Sequence, residues 1–398
     1  MDKYQHKNKA VILGSNYYIG LNAMRALGKK GIEVIGVDHC REGAYALASK
    51  YCSKALILPH YKRNSQQFIR SLIGFAEKEK YKPVLIPCAD PYVEIVDEFS
   101  DELKKHFLLP PIEKGLAAEL LNKDTLHGLA QKHGVKVPET IWLNQDDILE
   151  KVEKEFGFPC LLKPANSHQF VETFREKMFI ANNKDELYES IKKVKKEGFE
   201  AFVQRIIPGP DNHMHTFDCY IDSKGNVTHY TTCQKQRQYP INFGASVYTK
   251  QKYFPKLYEI GAKFLTDVGY RGFAEIEFKK DEKTGDFYLI EVNVRLTNFD
   301  VMLQKIGLNM PYIMYRDLVG SPLEPKAITE DTNIHFWYSY EDILAIRNYL
   351  KTGQLSKWEA LTSLKNKKAY AIWSIDDPMP FVKFSQKLFR KVLKKVKK

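Results

Sequence analysis

At 398 residues, with 44% apolar and 28% charged side chains, the chain is too long for one comfortable hydrophobic core and has the balance of a soluble globular protein. Two or three domains with a cleft between them are expected. The net charge of +12 points first to nucleic acid, but eight of the positive charges fall in residues 383–398 with no acid among them. The rest carries only +4, close to an ordinary enzyme, and no nucleic-acid partner is expected.

The six cysteines show no C-x-x-C spacing, so neither a zinc site nor a disulfide framework is legible and a reducing cytoplasm fits. The polar N-terminus runs into an apolar stretch at 10–13, which is far too short for a signal peptide or a membrane span.

Residues 10–14 read as a buried strand, followed by a polar turn, a helical pattern over 19–29 and a second strand over 32–37 that closes at Asp38. Further strands at 54–58 and 83–87, with helices near 65–80 and 93–106, predict a Rossmann-like, doubly wound parallel sheet over residues 1–112. A helical linker over 113–134 leads into a small lobe ending near 202, with strands at 140–142, 160–163 and 178–181 and a charged helix over 184–196. A larger α+β lobe is expected over 203–330. It contains a helix at 255–268 and two acid-bearing strands, 274–278 and 287–292, joined by the turn 281–286. Residues 331–379 form a C-terminal extension without a clear pattern, and 380–398 a basic amphipathic helix.

The opening Gly14-Ser15-Asn16-Tyr17-Tyr18-Ile19-Gly20, with Asp38 ending the next strand, superficially suits a dinucleotide site. Ser15 and Asn16 occupy the place where a second glycine would let backbone approach pyrophosphate, so a tight strand-to-helix turn is the better reading.

Glu275 and Glu277 share one face of their strand, as do Glu291 and Asn293 on the next. If the turn makes a hairpin, Glu277 and Glu291 can face each other. Two carboxylates so close repel unless a cation sits between them, and an all-oxygen set favours magnesium. Arg295 falls on the same side and can meet phosphate or carboxylate oxygens bidentately. A solvated polar hairpin face is the competing interpretation of a lone acid pair. Four coordinated positions outweigh it.

Glu291-Val292-Asn293-Val294-Arg295, preceded by 272–278, resembles the metal-binding signature of the ATP-grasp superfamily, and the match extends in order over roughly 120–300. The resemblance implies ATP bound by Lys123 and Lys163, by the segment 202–209 with Gln204, Arg205, Ile206 and Ile207 around adenine, and by Asp211 at ribose. It also implies Lys235 or Arg237 as a catalytic cation beside Arg295, and magnesium on Glu277, Glu291 and Asn293, with manganese as an alternative and one or two ions. In place of the family's usual glycine-rich phosphate loop stands 165–170, where Asn166, Ser167 and His168 are the capping candidates. The whole chain resembles carboxylate–amine ligases similar to D-aspartate ligase. That implies an ADP-forming ligase acting on small-molecule carboxylates and amines through an acyl phosphate, with a cell-wall peptide precursor as a candidate acceptor.

In the tail, Phe381, Phe384, Leu388, Val392 and Val396 recur at helical spacing with basic residues between them. Such a helix suits either the inner face of an anionic membrane or docking on the protein body. Two rival functions remain open: an ATP-binding, membrane-associated regulatory protein without ligase turnover, and a nucleotide-dependent oxidoreductase using the N-terminal sheet.

Overall fold

A computed structural model describes residues 5–165 and 167–396, with backbone only at 167–169, 391, 392 and 394–396. The chain divides into two compact bodies that are not contiguous in sequence. The first comprises 1–121, 210–277 and 292–398, and the second 122–209 and 278–291. The acid-bearing hairpin begins and ends in the first body while its middle belongs to the second.

In the first body, β1 (Ala10–Leu13), β2 (Val34–Asp38), β3 (Lys54–Ile57) and β4 (Val84–Pro87) form a parallel sheet in the order β3-β2-β1-β4. Alternation along β1 explains why the sheet is covered on both faces: Ala10 and Ile12 join one apolar cluster with Leu21 and Met24, and Val11 and Leu13 join another with Phe68 and Leu72. The helices Tyr18–Gly28 and Ser65–Ala76 supply these two covers.

The opening glycines have a packing purpose. Gly14 has φ +101°, and a Cβ on Gly20 would lie 2.1 Å from the Gly14 carbonyl oxygen, so the helix can start here only without a side chain at Gly20. Asp38, fully buried, accepts from the Ser15 and His39 amides at 3.0 and 2.8 Å. Its carboxylate tightens the strand-end turns, which removes the acid that a dinucleotide reading needs.

The second body holds an antiparallel sheet of β5 (Thr140–Trp142), β6 (Cys160–Pro164), β7 (Phe179–Ala181) and β8 (Ala201–Arg205) in the order β5-β8-β6-β7. One face packs Ile141, Leu162 and Val203 against Leu187 and Val194 of the Lys184–Lys196 helix. The segment expected as a phosphate loop is instead the start of a helix, Ser167–Phe174, which the Phe170–Phe174 ring contact at 4.6 Å helps to hold. Asn166 and the side chains of Ser167 and His168 lie outside the described residues.

The remaining strands are β9 (Met214–Ile221), β10 (Val227–Tyr239), β11 (Ala245–Gln251), β12 (Gly272–Lys280), β13 (Phe287–Asn293), β14 (Lys326–Ala327), β15 (Ile334–Trp337) and β16 (Lys367–Tyr370). They make one sheet in the order β13-β12-β9-β10-β11-β15-β16, with β14 beside β10. The extension 331–379 thus completes this sheet. It is also tied to the first helix by Arg25, whose guanidinium donates to the Asp377 carboxylate at 2.9 Å and to the Ile372 and Asp377 carbonyls at 2.8 and 2.7 Å. The basic helix forms, as Met379–Val396, and of the expected apolar stripe Phe384 is buried against Tyr45 and Leu388 packs on the same core, while Phe381 stays exposed and the side chains of Val392 and Val396 lie outside the described residues. No helix among the described residues is long and apolar enough to cross a membrane.

Candidate functional site

In the second body, strand alternation turns Lys163, Gln204 and Thr140 away from the apolar core onto the opposite sheet face. There the Lys163 ammonium donates to Gln204 Oε1 at 2.6 Å, and Gln204 Nε2 donates to Thr140 Oγ1 at 3.2 Å. Asn122 caps the helix Lys123–Lys132 by accepting from the Asp124 amide, and the i, i+4 spacing sets Lys123 and His127 on one face. Lys123, His127, Thr140, Trp142 and Phe202 line a cavity of about 190 Å³.

Asp124 also lines this cavity, yet Lys163 and His127 are both held down by burial and by their basic neighbours. Burial and then the Lys123 charge push the Lys163 ammonium down to about 7, with Glu291 only partly offsetting them. Burial, Lys163 and Lys123 similarly hold His127 down at about 4, so it is neutral at physiological pH. His127 was not singled out in the sequence, although its position one turn after Lys123 was the available signal.

Arg205 has a different environment. Its guanidinium donates to Glu139 at 3.2 Å and to the buried Asp281 at 3.0 Å, and its amide donates to the Glu139 carbonyl at 2.9 Å. This side chain braces the hairpin turn, where Asp281 also caps the Lys283 amide at 2.8 Å. β8 ends at Arg205, so Ile206 and Ile207 continue as irregular chain, with Ile207 buried.

In the first body, β10 carries both candidate cations. A bulge between Lys235 and Arg237 separates their environments, which simple alternation would have made alike. Lys235 is buried and donates to Glu277 Oε2 at 2.6 Å. Arg237 makes two bonds to the buried Asp342 at 2.6 and 2.7 Å, and its guanidinium lies 4.1 Å from the Tyr248 ring centroid. Trp337 Nε1 completes the grip on Asp342 at 2.7 Å. Arg237 is thus held by Asp342 and Tyr248.

Asp211, expected at ribose, is likewise enclosed: its Oδ2 accepts from the Tyr349 hydroxyl and, at 2.8 Å, from the Asn242 amide. Arg295 donates through Nη2 to Asn293 Oδ1 at 3.0 Å and to Asp90 at 3.2 Å, with a second, shorter contact from Nε to Asp90. Asp90 opens the helix Asp90–Glu98 just beyond β4, a position that sequence reasoning passed over. Behind Glu277, the Glu275 carboxyl is pushed well up by burial and by the Asp218 and Glu277 charges. Burial alone raises Asp300 to about 7, and it is the main cause of the same rise in Asp218.

The donor atoms expected to hold magnesium are aimed at cations: Glu277 at the Lys235 ammonium and the Asn293 amide oxygen at the Arg295 guanidinium. Glu277, Glu291 and Asn293 each offer oxygen donors, the ligand type that a hard divalent ion prefers. Among the described residues no group of three or more His, Cys, Asp or Glu side chains is preassembled to hold a metal.

Residues 122–325, half of the chain, match the family model described as the carbamoyl-phosphate synthase L chain, ATP binding domain. The chain is 28% identical over 267 residues to a D-aspartate ligase of Enterococcus faecium (strain Aus0004), covering 63% of each protein. It is 25% identical over 194 residues to a D-alanine–D-alanine ligase of Fusobacterium nucleatum subsp. nucleatum, covering 44% of this chain and 57% of that one. The matches therefore span less than two thirds of these relatives' own lengths. In structure it is similar to a biotin carboxylase–ATP complex from Campylobacter jejuni, with a TM-score of 0.64 at 20% identity over 82% of this chain and 74% of that one, a likeness that concerns the fold. With the paired acid-bearing strands, the lysine strand and the preceding parallel sheet all in the expected order, the chain belongs to the ATP-grasp superfamily, in the family of the carbamoyl-phosphate synthase L chain ATP-binding domain.

Proposed function

We propose that the chain is an ADP-forming carboxylate–amine ligase. In this reading a substrate carboxylate oxygen attacks the γ-phosphorus of ATP and ADP leaves. The amine nitrogen then attacks the acyl carbon, phosphate departs with the bonding pair, and the amine loses a proton as the amide forms. Lys163 and Lys123 hold phosphate oxygens, and Arg295, steadied by Asp90, meets a substrate carboxylate or the transferring phosphoryl group. Glu277, Glu291 and Asn293 would hold magnesium, which neutralises charge on the triphosphate. We include in the same proposal, as the family resemblance read from the sequence implies, that the reaction adds an amino acid to a peptide precursor of the cell wall. Peripheral membrane contact through 380–398 belongs to the same proposal.

The observation that carries this reading is the coupling of Lys163, Lys123 and His127: Lys123 and His127 line one cavity, burial and the Lys123 charge depress Lys163, and burial and both lysines depress His127, so a bound anion would stabilise all three. The test is ADP release by purified protein over a panel of amino-acid carboxylates and amines. We expect release that depends on both substrates and falls by at least about a hundredfold in Glu291→Gln. Magnesium-dependent ATP binding with no release for any pair would favour the regulatory reading instead.

A further inference from the structure

Among the described residues, large apolar side chains left exposed concentrate in the C-terminal region. Fourteen lie between Tyr340 and Leu393, against five in all the rest. The same stretch, 340–398, carries fourteen Lys or Arg and five acids, and three of those acids pair with basic residues elsewhere in the chain: Asp342 with Arg237, Asp376 with Lys29 and Asp377 with Arg25. Exposed apolar surface and unbalanced positive charge therefore coincide on one segment.

The helix Met379–Val396 shows how they are arranged. At about 100° per residue, Val382, Phe389 and Leu393 lie within about 40° of one another, and about 140° around the helix from the docked pair Phe384 and Leu388. Phe389 is 64% and Leu393 45% exposed, so this arc has no cover among the described residues. Just before the helix, Ile375 is 88% exposed, and the half-exposed Trp373 ring meets the Phe381 ring edge-on at 5.3 Å. Between the docked face and the exposed arc run Lys383, Lys387 and Arg390. With Arg41 they line a groove of about 560 Å³ whose wall includes a single acid, Glu42.

We propose that this second arc, rather than the stripe predicted from sequence, is a lipid-facing surface. In this arrangement Phe389, Leu393 and Val382 enter the headgroup–acyl boundary of an anionic bilayer, Trp373 sits at the interface, and the Arg41/Lys383/Lys387/Arg390 groove takes the phosphate of a headgroup. The occupant follows from charge complementarity. A protein partner could cover the apolar arc, but an excess of nine positive charges over residues 340–398 with indole at the rim matches an anionic lipid surface. The inference rests on the reading of 380–398 as a membrane contact and names the face that makes it.

The test is flotation of the full chain with phosphatidylglycerol-rich vesicles and with pure phosphatidylcholine vesicles. Two surface variants are compared, Phe389→Ser/Leu393→Ser and Lys383→Glu/Arg390→Glu, with melting temperatures recorded. We expect the native chain to float with the anionic vesicles only, and each variant to lose binding by at least about tenfold with an unchanged melting temperature. Native binding that persists in Phe389→Ser/Leu393→Ser overturns the assigned face and leaves the wider membrane reading standing. No flotation of the native chain with either vesicle overturns both. Equal retention on duplex DNA with no vesicle binding assigns the charge to a nucleic-acid partner and overturns the lipid assignment.

Discussion

Replacing Lys163 by Met should make the nucleotide-free protein more stable while weakening its hold on ATP. The Lys163 ammonium titrates at about 7 in the folded chain against an ordinary 10.5, because burial and Lys123 both disfavour its charge. A folded pKa below the unfolded one means that the unfolded chain binds more protons between pH 7 and 10.5. The cost is therefore full below pH 7 and fades as pH rises towards 10.5. Lys163→Met removes that cost, so its melting temperature should exceed the native one at pH 7 and converge on it by about pH 10. ATP should reverse the balance, since triphosphate oxygens favour the ammonium. At pH 8 the free lysine is mostly neutral, and binding should take up about 0.9 proton per nucleotide, with affinity falling up to about tenfold per pH unit above 7. Titration calorimetry of magnesium-ATP in two buffers of different ionisation enthalpy reads that uptake directly. Uptake near zero in the native chain, or equal uptake in Lys163→Met, would refute the assignment of Lys163 to the phosphates.

Three further outcomes follow from the ion pairs and the close packing. Arg237→Met should destabilise the first body by about 3–5 kcal/mol in denaturant unfolding because it strands the buried Asp342 carboxylate, and adding Asp342→Leu should recover much of the loss. A phosphate role for Arg237 predicts instead a stable protein with weak ATP binding. Gly20→Ala should cost about 1–3 kcal/mol, since the new Cβ collides with the Gly14 carbonyl; an unchanged midpoint would show that the turn relaxes freely. Asp90→Asn should keep the fold yet raise KM for the carboxylate substrate more than for ATP. An effect confined to ATP would move Arg295 from the substrate to the nucleotide.

The parts legible in the sequence are those whose contacts are local or periodic. The apolar run of β1, the apolar run before Lys163 and the acid-bearing hairpin each carry their own signal, and each forms as read. The helix at Ser167–Phe174 went unseen because its apolar positions Phe170, Val171 and Phe174 begin where the supposed loop was thought to end. The extension 331–379 was opaque for another reason. Its strands β15 and β16 are four residues each, and its decisive contacts reach far along the chain, from Asp342 back to Arg237 and from Asp377 back to Arg25. The tail was read correctly as an amphipathic helix, but an isolated helix does not reveal which apolar face a neighbouring core will claim. Phe384 and Leu388 were claimed.

The cations that sequence likeness assembled around ATP separate once their charge partners are known. Arg205 meets Glu139 and Asp281, Arg237 meets Asp342, Lys235 meets Glu277 and Arg295 meets Asp90. Each of these charges is balanced by a carboxylate of the protein itself. For Arg205 and Arg237 at least one partner is fully buried, which ties them closely to the fold. Glu277 and Asp90 keep some exposure, so Lys235 and Arg295 stand in pairs that a ligand could rearrange. Lys163 differs from all four. Its hydrogen-bond acceptor is a neutral amide, its strongest charge neighbour is another lysine, and its ammonium is correspondingly weakened. A folded chain tolerates two converging lysines at a cost, and a bound triphosphate repays it. Charge deficit, more than the presence of a cation, is therefore the feature on which we propose the nucleotide-facing residues of this chain.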